Sequence, residues 1–250
     1  MNSARVVLIT GASRGIGRAT AVLLGAQGAA VGINYVRDAA AAEQTAVEVE
    51  RAGGQAVLLQ GDVADEQAVV AMFDGLTAAF GRIDALVNNA GIVAASLPLA
   101  QMDAARLKRM FDVNVFGAYL CAREAARRMS LDRGGGGGAI VNVSSAASRL
   151  GSPNEYVDYA GSKAAVDTMT IGLAKELGPR GIRVNAVRPG LIETDIHASG
   201  GQPQRAATLG AQTPLGRPGT AEEVAQAIVW LLSDAASYVQ GALLDVSGGR

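Results

Sequence analysis

The sequence predicts an α/β fold in which helices cover both faces of one doubly wound parallel sheet of about seven strands. Three observations support this prediction. Short apolar runs alternate with longer helical segments along the whole chain. The first apolar run ends in a glycine-rich turn that opens a helix. The length of 250 residues also fits one domain that buries a full sheet between two helical layers.

Each strand is predicted from a short apolar run. These runs lie at residues 5–10, 30–35, 56–60, 84–88, 139–143, 182–187 and 242–246. Alanine-rich or periodically apolar stretches between them predict the helices. These stretches follow the first glycine turn and then lie at residues 39–51, 65–80, 103–129, around Tyr159 and at 221–233. No linker or further repeat interrupts the alternation, so residues 1–250 are expected to form a single domain.

The first glycine turn has the context of a dinucleotide-binding motif. The first strand ends at Gly11, and Gly15 and Gly17 lead into an apolar-periodic helix. Gly11 permits the tight turn, Gly15 lets the backbone approach a pyrophosphate, and Gly17 lets the helix pack closely on the strand. The free N–H groups at the helix N-terminus would bind phosphate. The five-glycine run at residues 134–138 instead precedes a strand, which predicts a flexible surface turn.

A second motif pairs Tyr159 with Lys163, one of only three lysines in the chain. Residues four apart share one face of a helix, so the ammonium would lie close to the phenol. A free tyrosine has a pKa of about 10, and a neighbouring positive charge favours its phenolate. Such a pair can move a proton on or off a substrate oxygen. A Tyr and a Lys at this spacing are more often a solvated surface pair, so the hypothesis depends on the other motifs.

Five motifs follow one another along the chain. They are Thr10-Gly11-x3-Gly15-Ile16-Gly17, Asn88-Asn89-Ala90-Gly91, Ser144-Ser145, Tyr159-x3-Lys163 and Pro189-Gly190. In order and approximate spacing they resemble the short-chain dehydrogenase/reductase family, and the resemblance covers essentially the whole chain. Within that family the chain is similar to the 3-oxoacyl-carrier-protein reductase and glucose dehydrogenase-like branches. The resemblance implies a Rossmann fold that binds a nicotinamide dinucleotide.

The resemblance also implies roles for catalytic side chains. Tyr159 would exchange a proton with the substrate oxygen, while Lys163 would lower the pKa of Tyr159 and bind the nicotinamide ribose. Ser145 would bind the substrate carbonyl, but Ser144 stays an alternative because the serine-to-tyrosine spacing is one residue longer than is common in the family. Asn114 resembles the asparagine that bends its helix and holds a water in the proton relay. A helix-bending residue without catalytic work is the alternative for Asn114.

A larger set of residues is expected, by the same resemblance, to contact the cofactor. These residues are Gly11, Ser13, Arg14, Gly15, Ile16, Gly17, Tyr35, Arg37, Asp62, Val63, Asn89, Ala90, Gly91, Tyr159, Lys163, Pro189, Gly190, Ile192 and Thr194. Among them, Asp62 and Val63 resemble the pair that holds the adenine.

The end of the second strand favours NADP(H) over NAD(H). An acidic residue there would bind the ribose hydroxyls of NAD, but residues 32–37 contain no carboxylate before Asp38. Arg14 in the glycine turn and Arg37 after the strand could reach a 2′-phosphate, a group that suits guanidinium. The alternative is that both are ordinary surface arginines.

The motifs together predict an NADP(H)-dependent oxidoreductase that moves a hydride between nicotinamide and a carbonyl or secondary alcohol, with Tyr159 as general acid/base. The alternative is a non-catalytic NADP(H)-sensing regulator on the same fold. A sugar epimerase is a third interpretation, but those enzymes carry a larger C-terminal substrate domain. Substrate choice is expected to depend on a lid at about residues 193–213 and on the loop at residues 94–99.

Composition limits the expected partners and compartment. The net charge of −1 argues against a nucleic-acid or anionic-membrane surface, and no apolar run approaches the roughly 20 residues of a membrane span. A lone cysteine, Cys121, and no secretory signal predict a cytoplasmic protein. No metal site is expected, and His197, the only histidine, is expected in a solvated loop. The family resemblance implies a homotetramer that acts on a small-molecule carbonyl or alcohol.

Overall fold

The computed structural model of the chain describes residues 4–196 and 200–250, so His197 lies outside the described residues. Within them, parallel strands form one seven-stranded sheet in the order β3-β2-β1-β4-β5-β6-β7. The strands are β1 (Val6–Ile9), β2 (Ala30–Tyr35), β3 (Gln55–Gln60), β4 (Ala85–Asn88), β5 (Gly138–Val143), β6 (Ile182–Pro189) and β7 (Leu243–Val246). The predicted doubly wound α/β sheet is therefore confirmed.

Helices connect the strands and cover both faces of the sheet. They are α1 (Gly15–Gly25), α2 (Ala39–Arg51), α3 (Glu66–Phe80), α4 (Ala104–Phe111), α5 (Gly117–Met129), α6 (Ala147–Leu150), α7 (Val157–Leu177), α8 (Arg205–Gly210) and α9 (Ala221–Leu232). β2 and α2 have the predicted bounds, and the other strands differ from the prediction by at most two residues at an end.

Aspartate side chains determine where several helices begin. Asp38 accepts a hydrogen bond from the backbone N–H of the third residue of α2, and Asp65 and Asp103 cap α3 and α4 in the same way. Each cap satisfies a backbone donor that the first helical turn leaves free. The carboxylate of Asp38 is therefore directed at a helix N-terminus, which bears on the cofactor site below.

The core lies in two layers, one on each face of the sheet. Along β1, Val7 and Ile9 pack with the layer of α1, α2 and α9, whereas Val6 and Leu8 pack with the layer of α3, α5 and α7. Side chains alternate between the two faces of a strand, so a strand buried on both faces is apolar throughout. This explains why β1 is recognisable in the sequence as a continuous apolar run.

The helix predicted at residues 103–129 is present from Ala104 to Met129, but it contains an irregular turn that was not predicted. A π-helical turn at Asp112–Phe116 separates α4 from α5. The side chain of Asn114 reaches out of this turn to the loop after β4, donating to the carbonyl of Ile92 (3.0 Å) and accepting from its N–H (2.8 Å). Such one-turn π insertions widen a helix locally, so the side chain can point away from the regular face.

Two further observations concern the segment after β5 and the cysteine. The segment between β5 and α7 contains the short helix α6. Cys121 is a fully buried free thiol, and burial, reinforced by nearby Glu124, raises its pKa to about 12. It is a small core residue rather than a nucleophile.

Among the described residues, no helix is long and apolar enough to span a bilayer.

Strand order determines where a ligand can bind. The order reverses between β1, whose chain continues outward to β2, and β4, whose chain continues in the opposite direction. In open parallel sheets the loops at the carboxyl ends of such neighbouring strands diverge and leave a crevice. The carboxyl ends of β1, β4, β5 and β6 therefore surround the candidate site.

Candidate active site

The glycine turn after β1 is held in shape by the end of β2. Gly11 and Gly15 adopt positive φ angles of 63° and 55°, which glycine tolerates without strain. The N–H of Gly11 donates to Oδ1 of Asn34 (3.0 Å), and the N–H of Ala12 donates to its backbone carbonyl (2.8 Å). The turn is thus preorganised, with the N-terminus of α1 facing the crevice.

Gly17 permits the closest contact in the turn. A Cβ atom at this position would lie 2.5 Å from the carbonyl oxygen of Gly11 and 2.7 Å from Nδ2 of Asn89. No side chain fits there, so the third glycine is required by packing between α1 and the turn. The predicted role of Gly17 in helix–strand packing agrees with this geometry.

Asn89, after β4, braces the same turn from the other side. Its Nδ2 donates to the carbonyls of Thr10 (2.8 Å) and Gly11 (3.0 Å). The hydroxyl of Thr10 accepts from the N–H groups of Asn89 and Ala90, each at 2.9 Å. The loops at the switch point between β1 and β4 are therefore joined by polar contacts, which satisfy their otherwise unpaired backbone groups.

Helix α7 carries the predicted proton-transfer pair into the crevice. Lys163 is only 4% exposed, and its Nζ donates to the carbonyl of Val143 at the end of β5 (2.8 Å). The same Nζ lies 5.7 Å from the ring centre of Tyr159, so the ammonium and the phenol share one face of α7. A Cβ at Gly91 would lie 3.3 Å from Nζ, so the glycine leaves the room that the lysine occupies.

The two serines after β5 differ in what they contact. Ser144 is buried and donates from Oγ to the carbonyl of Lys163 (3.1 Å). Ser145 is half-buried, and its side chain forms a hydrogen bond with Tyr159. Ser144 is thus engaged in holding α7 to β5, whereas Ser145 lies beside the phenol.

Burial has opposite effects on the ionisation of the two central groups. It lowers the pKa of Lys163 to about 8, against the attraction of the Asp167 carboxylate. It raises the pKa of Tyr159 above its ordinary value, against the hydrogen bond with Ser145. Among the described residues, burial and Ser145 are the causes of the Tyr159 pKa shift, and the expected effect of Lys163 on this pKa stays a prediction.

Asn114 lies behind the pair rather than in the crevice. It is 1% exposed, and besides Ile92 its Nδ2 contacts Oγ of Ser162 at 3.1 Å. It thus connects the π turn to the loop after β4 and to α7. Its side-chain contacts agree with the expected helix-bending role.

The crevice is a cleft that encloses, with the open space at its mouth, about 1040 Å³. Carboxyl-terminal loops of the sheet form its floor, and parts of the predicted lid form its roof. The predicted site residues that border it are Ile16, Asn89, Gly91, Ser145, Tyr159, Lys163, Pro189, Gly190, Ile192 and Thr194. The structure therefore brings the glycine turn, the serine loop, α7 and the lid segment together around one space.

A clasp holds the described part of the lid over the loop that precedes α7. Arg205 of α8 donates to both carboxylate oxygens of Glu155 (2.9 and 2.5 Å). Its guanidinium also lies 5.0 Å from the ring centre of Tyr156. Arg205 and Tyr156 both line the cleft, so this clasp, formed by Glu155, Tyr156 and Arg205, belongs to its wall.

The remaining predicted cofactor residues do not line the cleft itself. Asp62 follows β3 and pairs with Arg109 at 2.9 Å. Burial alone would raise the pKa of Asp62, but the N–H of Ala64 and the guanidinium of Arg109 hold it below its usual value. The predicted cofactor residues outside the cleft lining are Gly11, Ser13, Arg14, Gly15, Gly17, Tyr35, Arg37, Asp62, Val63 and Ala90.

Several residues with evident structural roles at the site were not predicted. Asn34 shapes the glycine turn, and Glu155 and Arg205 form the clasp. Asp167 is also unpredicted, although its position four residues after Lys163 is a visible signal. The contacts of Asn34 and Arg205 join residues far apart in the chain, and no local pattern indicates them.

Comparison with known proteins yields matches over nearly the whole chain. A family model described as Enoyl-(Acyl carrier protein) reductase matches residues 11–250. The protein named Uncharacterized oxidoreductase YgfF, from Escherichia coli (strain K12), is 54% identical over 98% of this chain and 99% of its own. Cis-4-hydroxycyclohexanecarboxylate dehydrogenase of Sinomonas cyclohexanicum is 44% identical over 98% and 96%. The structure of 3-ketoacyl-(acyl-carrier-protein) reductase from Brucella melitensis, complexed with NADH, superposes with a TM-score of 0.90 at 34% identity, covering 98% of both chains.

Replacing Gly17 with alanine is expected to weaken dinucleotide binding by about fivefold or more, because overpacking of this order costs roughly 1–3 kcal/mol. The added Cβ would force Gly11 and Asn89 apart. Fluorescence titration with NADPH measures the loss. Gly172→Ala in α7 is the matched control, since its Cβ meets nothing within 4 Å. A folded Gly17→Ala protein with unchanged affinity would show that the turn does not hold the cofactor.

Proposed function

The chain belongs to the short-chain dehydrogenase/reductase family of NAD(P)-dependent oxidoreductases, and from this premise we propose that it moves a hydride between NADP(H) and a carbonyl or secondary alcohol, with Tyr159 as general acid/base. The observation that carries the proposal is the meeting of Tyr159, Ser145 and Lys163 in one cleft with the lid segment. Each group there has a chemical use in carbonyl reduction.

The described residues fit a nicotinamide dinucleotide. The turn at Gly11 to Gly17 offers backbone N–H groups where a Cβ would clash, and the cleft continues from Ile16 to Tyr159. When bound, the nicotinamide supplies or accepts the hydride. A group that binds the phosphates at the glycine turn would extend along the carboxyl ends of β1 and β4 toward α7.

Proton transfer is assigned to Tyr159. In the reducing direction its hydroxyl gives a proton to the substrate oxygen, and a raised pKa keeps the phenol protonated for that step. The proposed role of Ser145, hydrogen-bonded to the phenol, is to donate to the same oxygen and stabilise its developing charge. Lys163 supplies a positive charge on the same face of α7 and is the group proposed to bind the nicotinamide ribose.

Asn114 is proposed to support this relay. Its side chain is fully used in structural contacts with Ile92 and Ser162, so any water in the relay would be held by its backbone carbonyl. The π turn in which it lies is supported by the neighbouring loop after β4.

The preference for NADP(H) over NAD(H) is supported by the charges at the end of β2. Asp38, the first carboxylate there, is used as the N-cap of α2. Asn34 turns its side chain inward to the glycine turn. Within residues 4–196 and 200–250, Arg14 and Arg37 are exposed and take part in no ion pair. Two exposed guanidinium groups suit a 2′-phosphate, and Asp62 is a carboxylate whose charge interacts with Arg37.

The cleft favours a largely apolar substrate. Val93, Leu150, Leu191 and Ile196 are among the residues that line it. A relative at 44% identity is named for its action on a hydroxycyclohexane carboxylate, and a ring of that size suits such walls. We therefore propose a secondary alcohol or ketone on an alicyclic ring as the first class to assay, with the lid at about residues 193–213 as the determinant of specificity. No observation favours the alternative of a non-catalytic regulator.

Assembly and compartment are proposed on separate grounds. Exposed apolar side chains lie beside and on the central helices α5 and α7, among them Phe116, Tyr119 and Ile171. Covering such surfaces in a homotetramer would remove them from water. The one cysteine is a buried free thiol, which supports the cytoplasm as the proposed compartment.

Tyr159→Phe is expected to lower turnover by at least about 100-fold, the usual contribution of a positioned proton donor, while NADPH binding is retained. Turnover is measured by NADPH absorbance with a panel of cyclic ketones, aldehydes, sugars and acyl thioesters. Tyr119→Phe, on the exposed face of α5, is the control and keeps full activity. Turnover in Tyr159→Phe equal to that of the parent protein would refute the assignment. A parent protein that binds NADPH but reduces nothing on the panel would favour the regulator.

The parent protein is expected to use NADPH with a higher kcat/KM than NADH. Replacing both Arg14 and Arg37 with Gln removes the charged contacts, so the preference should fall by about tenfold or more, with little change in kcat/KM for NADH. Arg51→Gln at the exposed end of α2 serves as the control. A preference for NADH in the parent protein would end the NADP(H) assignment.

Sedimentation velocity is expected to give the mass of a tetramer at micromolar concentration. Tyr119→Arg places a charge on the exposed face of α5 and should shift the distribution toward smaller species. A monomer in the parent sample would contradict the proposed assembly.

A further inference from the structure

Helix α7 carries a third ionisable residue in register with the proton-transfer pair. Tyr159, Lys163 and Asp167 follow one another at intervals of four, which places them along one face of the helix. Asp167 is 6% exposed. A buried carboxylate of this kind is costly unless it is paired, so its partners indicate what it does.

Arg188 of β6 is the direct partner of Asp167. Its Nε (3.0 Å) and Nη2 (2.9 Å) both donate to Oδ2 of the carboxylate. Within the part of the chain that the structure describes, the buried Oδ1 atom has no hydrogen-bond partner. The guanidinium thus orients the carboxylate through Oδ2. No hydrogen bond from the described residues offsets the negative charge on Oδ1.

Lys163 and Asp167 attach α7 to two neighbouring strands, β5 and β6, near paired residues of the sheet. Lys163 binds the carbonyl of Val143 on β5, and Val143 lies opposite Val187 of β6, next to Arg188. Lys163 therefore binds the end of β5, and Asp167, one turn farther along α7, binds Arg188 on the adjacent strand β6. A carboxylate in such a place acts on both charges.

The other groups that face Lys163 are uncharged. From β5 these are the carbonyl of Val143 and the hydroxyl of Ser144, and from the loop after β4 and the π turn they are Gly91 and Asn114. Tyr159 on the same helix is neutral as the phenol. Among the described residues, Asp167 is the carboxylate whose charge acts on Lys163, and it opposes the burial that lowers the lysine pKa to about 8.

We propose that Asp167 is a positioning residue for the reaction: its carboxylate, oriented by Arg188, keeps the buried Lys163 charged and directed at the end of β5. Its role in turnover rests on the proposed function of Tyr159 and Lys163. The alternative is that Asp167 and Arg188 only hold α7 against the sheet, in which case the charge state of Lys163 would not depend on them.

The titration of Lys163 distinguishes the two roles without any assay of activity. The chain has three lysines, Lys108, Lys163 and Lys175, so protein labelled with ¹³C at lysine Cε gives few resonances. The variants Lys108→Arg and Lys175→Arg each remove one resonance and so assign the signal of Lys163. In the parent protein the Lys163 resonance is expected to titrate with a pKa of about 8. In Asp167→Asn this midpoint should fall by about one pH unit, the usual size of the pKa shift that one opposite charge causes at a buried group. An unchanged midpoint would overturn the proposal.

A matched control breaks a different buried pair on the same helix. Asp158 lies one residue before Tyr159 and pairs with Arg106 at 2.9 Å, with the aspartate side chain fully buried. It is five residues from Lys163 and so lies on another face of α7. Asp158→Asn is expected to leave the Lys163 midpoint unchanged. An equal fall in both variants would mean that loosening of α7, not the Asp167 charge, is responsible, and would also overturn the proposal.

A second variant covers the case in which Asp167→Asn unfolds because Arg188 is left buried without its partner. Asp167→Asn combined with Arg188→Met removes both charges, and the lysine midpoint should still fall because the carboxylate is gone. With an active substrate in hand, the high-pH limb of kcat/KM should move down by the same shift in Asp167→Asn. If no substrate is found, the NMR titration still decides the role of Asp167, so failure of the proposed function is told apart from failure of this inference.

Discussion

The attachment of α7 to the ends of β5 and β6 is the constraint on which the site depends. Apolar packing alone leaves a helix free to slide or rotate by a fraction of a turn, whereas polar contacts are specific to one register. Here Lys163 donates to the carbonyl of Val143, and Ser144 donates back to the carbonyl of Lys163. Asn142 adds a buried hydrogen bond to Thr170, about two helical turns after Lys163. Each neutral bond contributes about 0.5–1.5 kcal/mol net, so together they outweigh small gains from alternative packings.

The other half of the site is stabilised by polar side chains that replace missing backbone partners. At the point where β1 and β4 diverge, their loops leave the sheet and lose its hydrogen bonds. Asn89 and Thr10 supply substitutes on one side of the glycine turn, and Asn34 supplies them on the other. These contacts hold the turn in one shape from both sides, and Ile16 at the start of α1 lines the cleft. The phosphate-binding surface proposed for this turn thus follows from the way in which a parallel sheet reverses its strand order.

The sequence predicts the regular elements well because their signals are local. β2 and α2 have their predicted bounds, since a β-branched run and an alanine-rich stretch with an aspartate cap need no distant contact. The π turn at Asp112–Phe116 could not be predicted in this way, because it depends on bonds from Asn114 to Ile92, a residue 22 positions earlier. The motifs also locate the groups around the cleft, but they carry no information about desolvation. The raised pKa of Tyr159 depends on protein atoms that only the folded chain brings together.

The clasp of Glu155, Tyr156 and Arg205 links sequence changes in the segment that covers the cleft to sequence changes in the turn before α7. It joins α8, in the segment that roofs the cleft, to the turn from which α7 starts. That same turn is tied to the loop after β4, where the N–H of Leu97 donates to the carbonyl of Glu155 at 3.0 Å. The side chains of Glu155, Tyr156 and Arg205 are therefore expected to change together. Exchange of the covering segment alone would remove Arg205 and leave the Glu155 carboxylate without this guanidinium, so adaptation to new substrates requires paired exchanges.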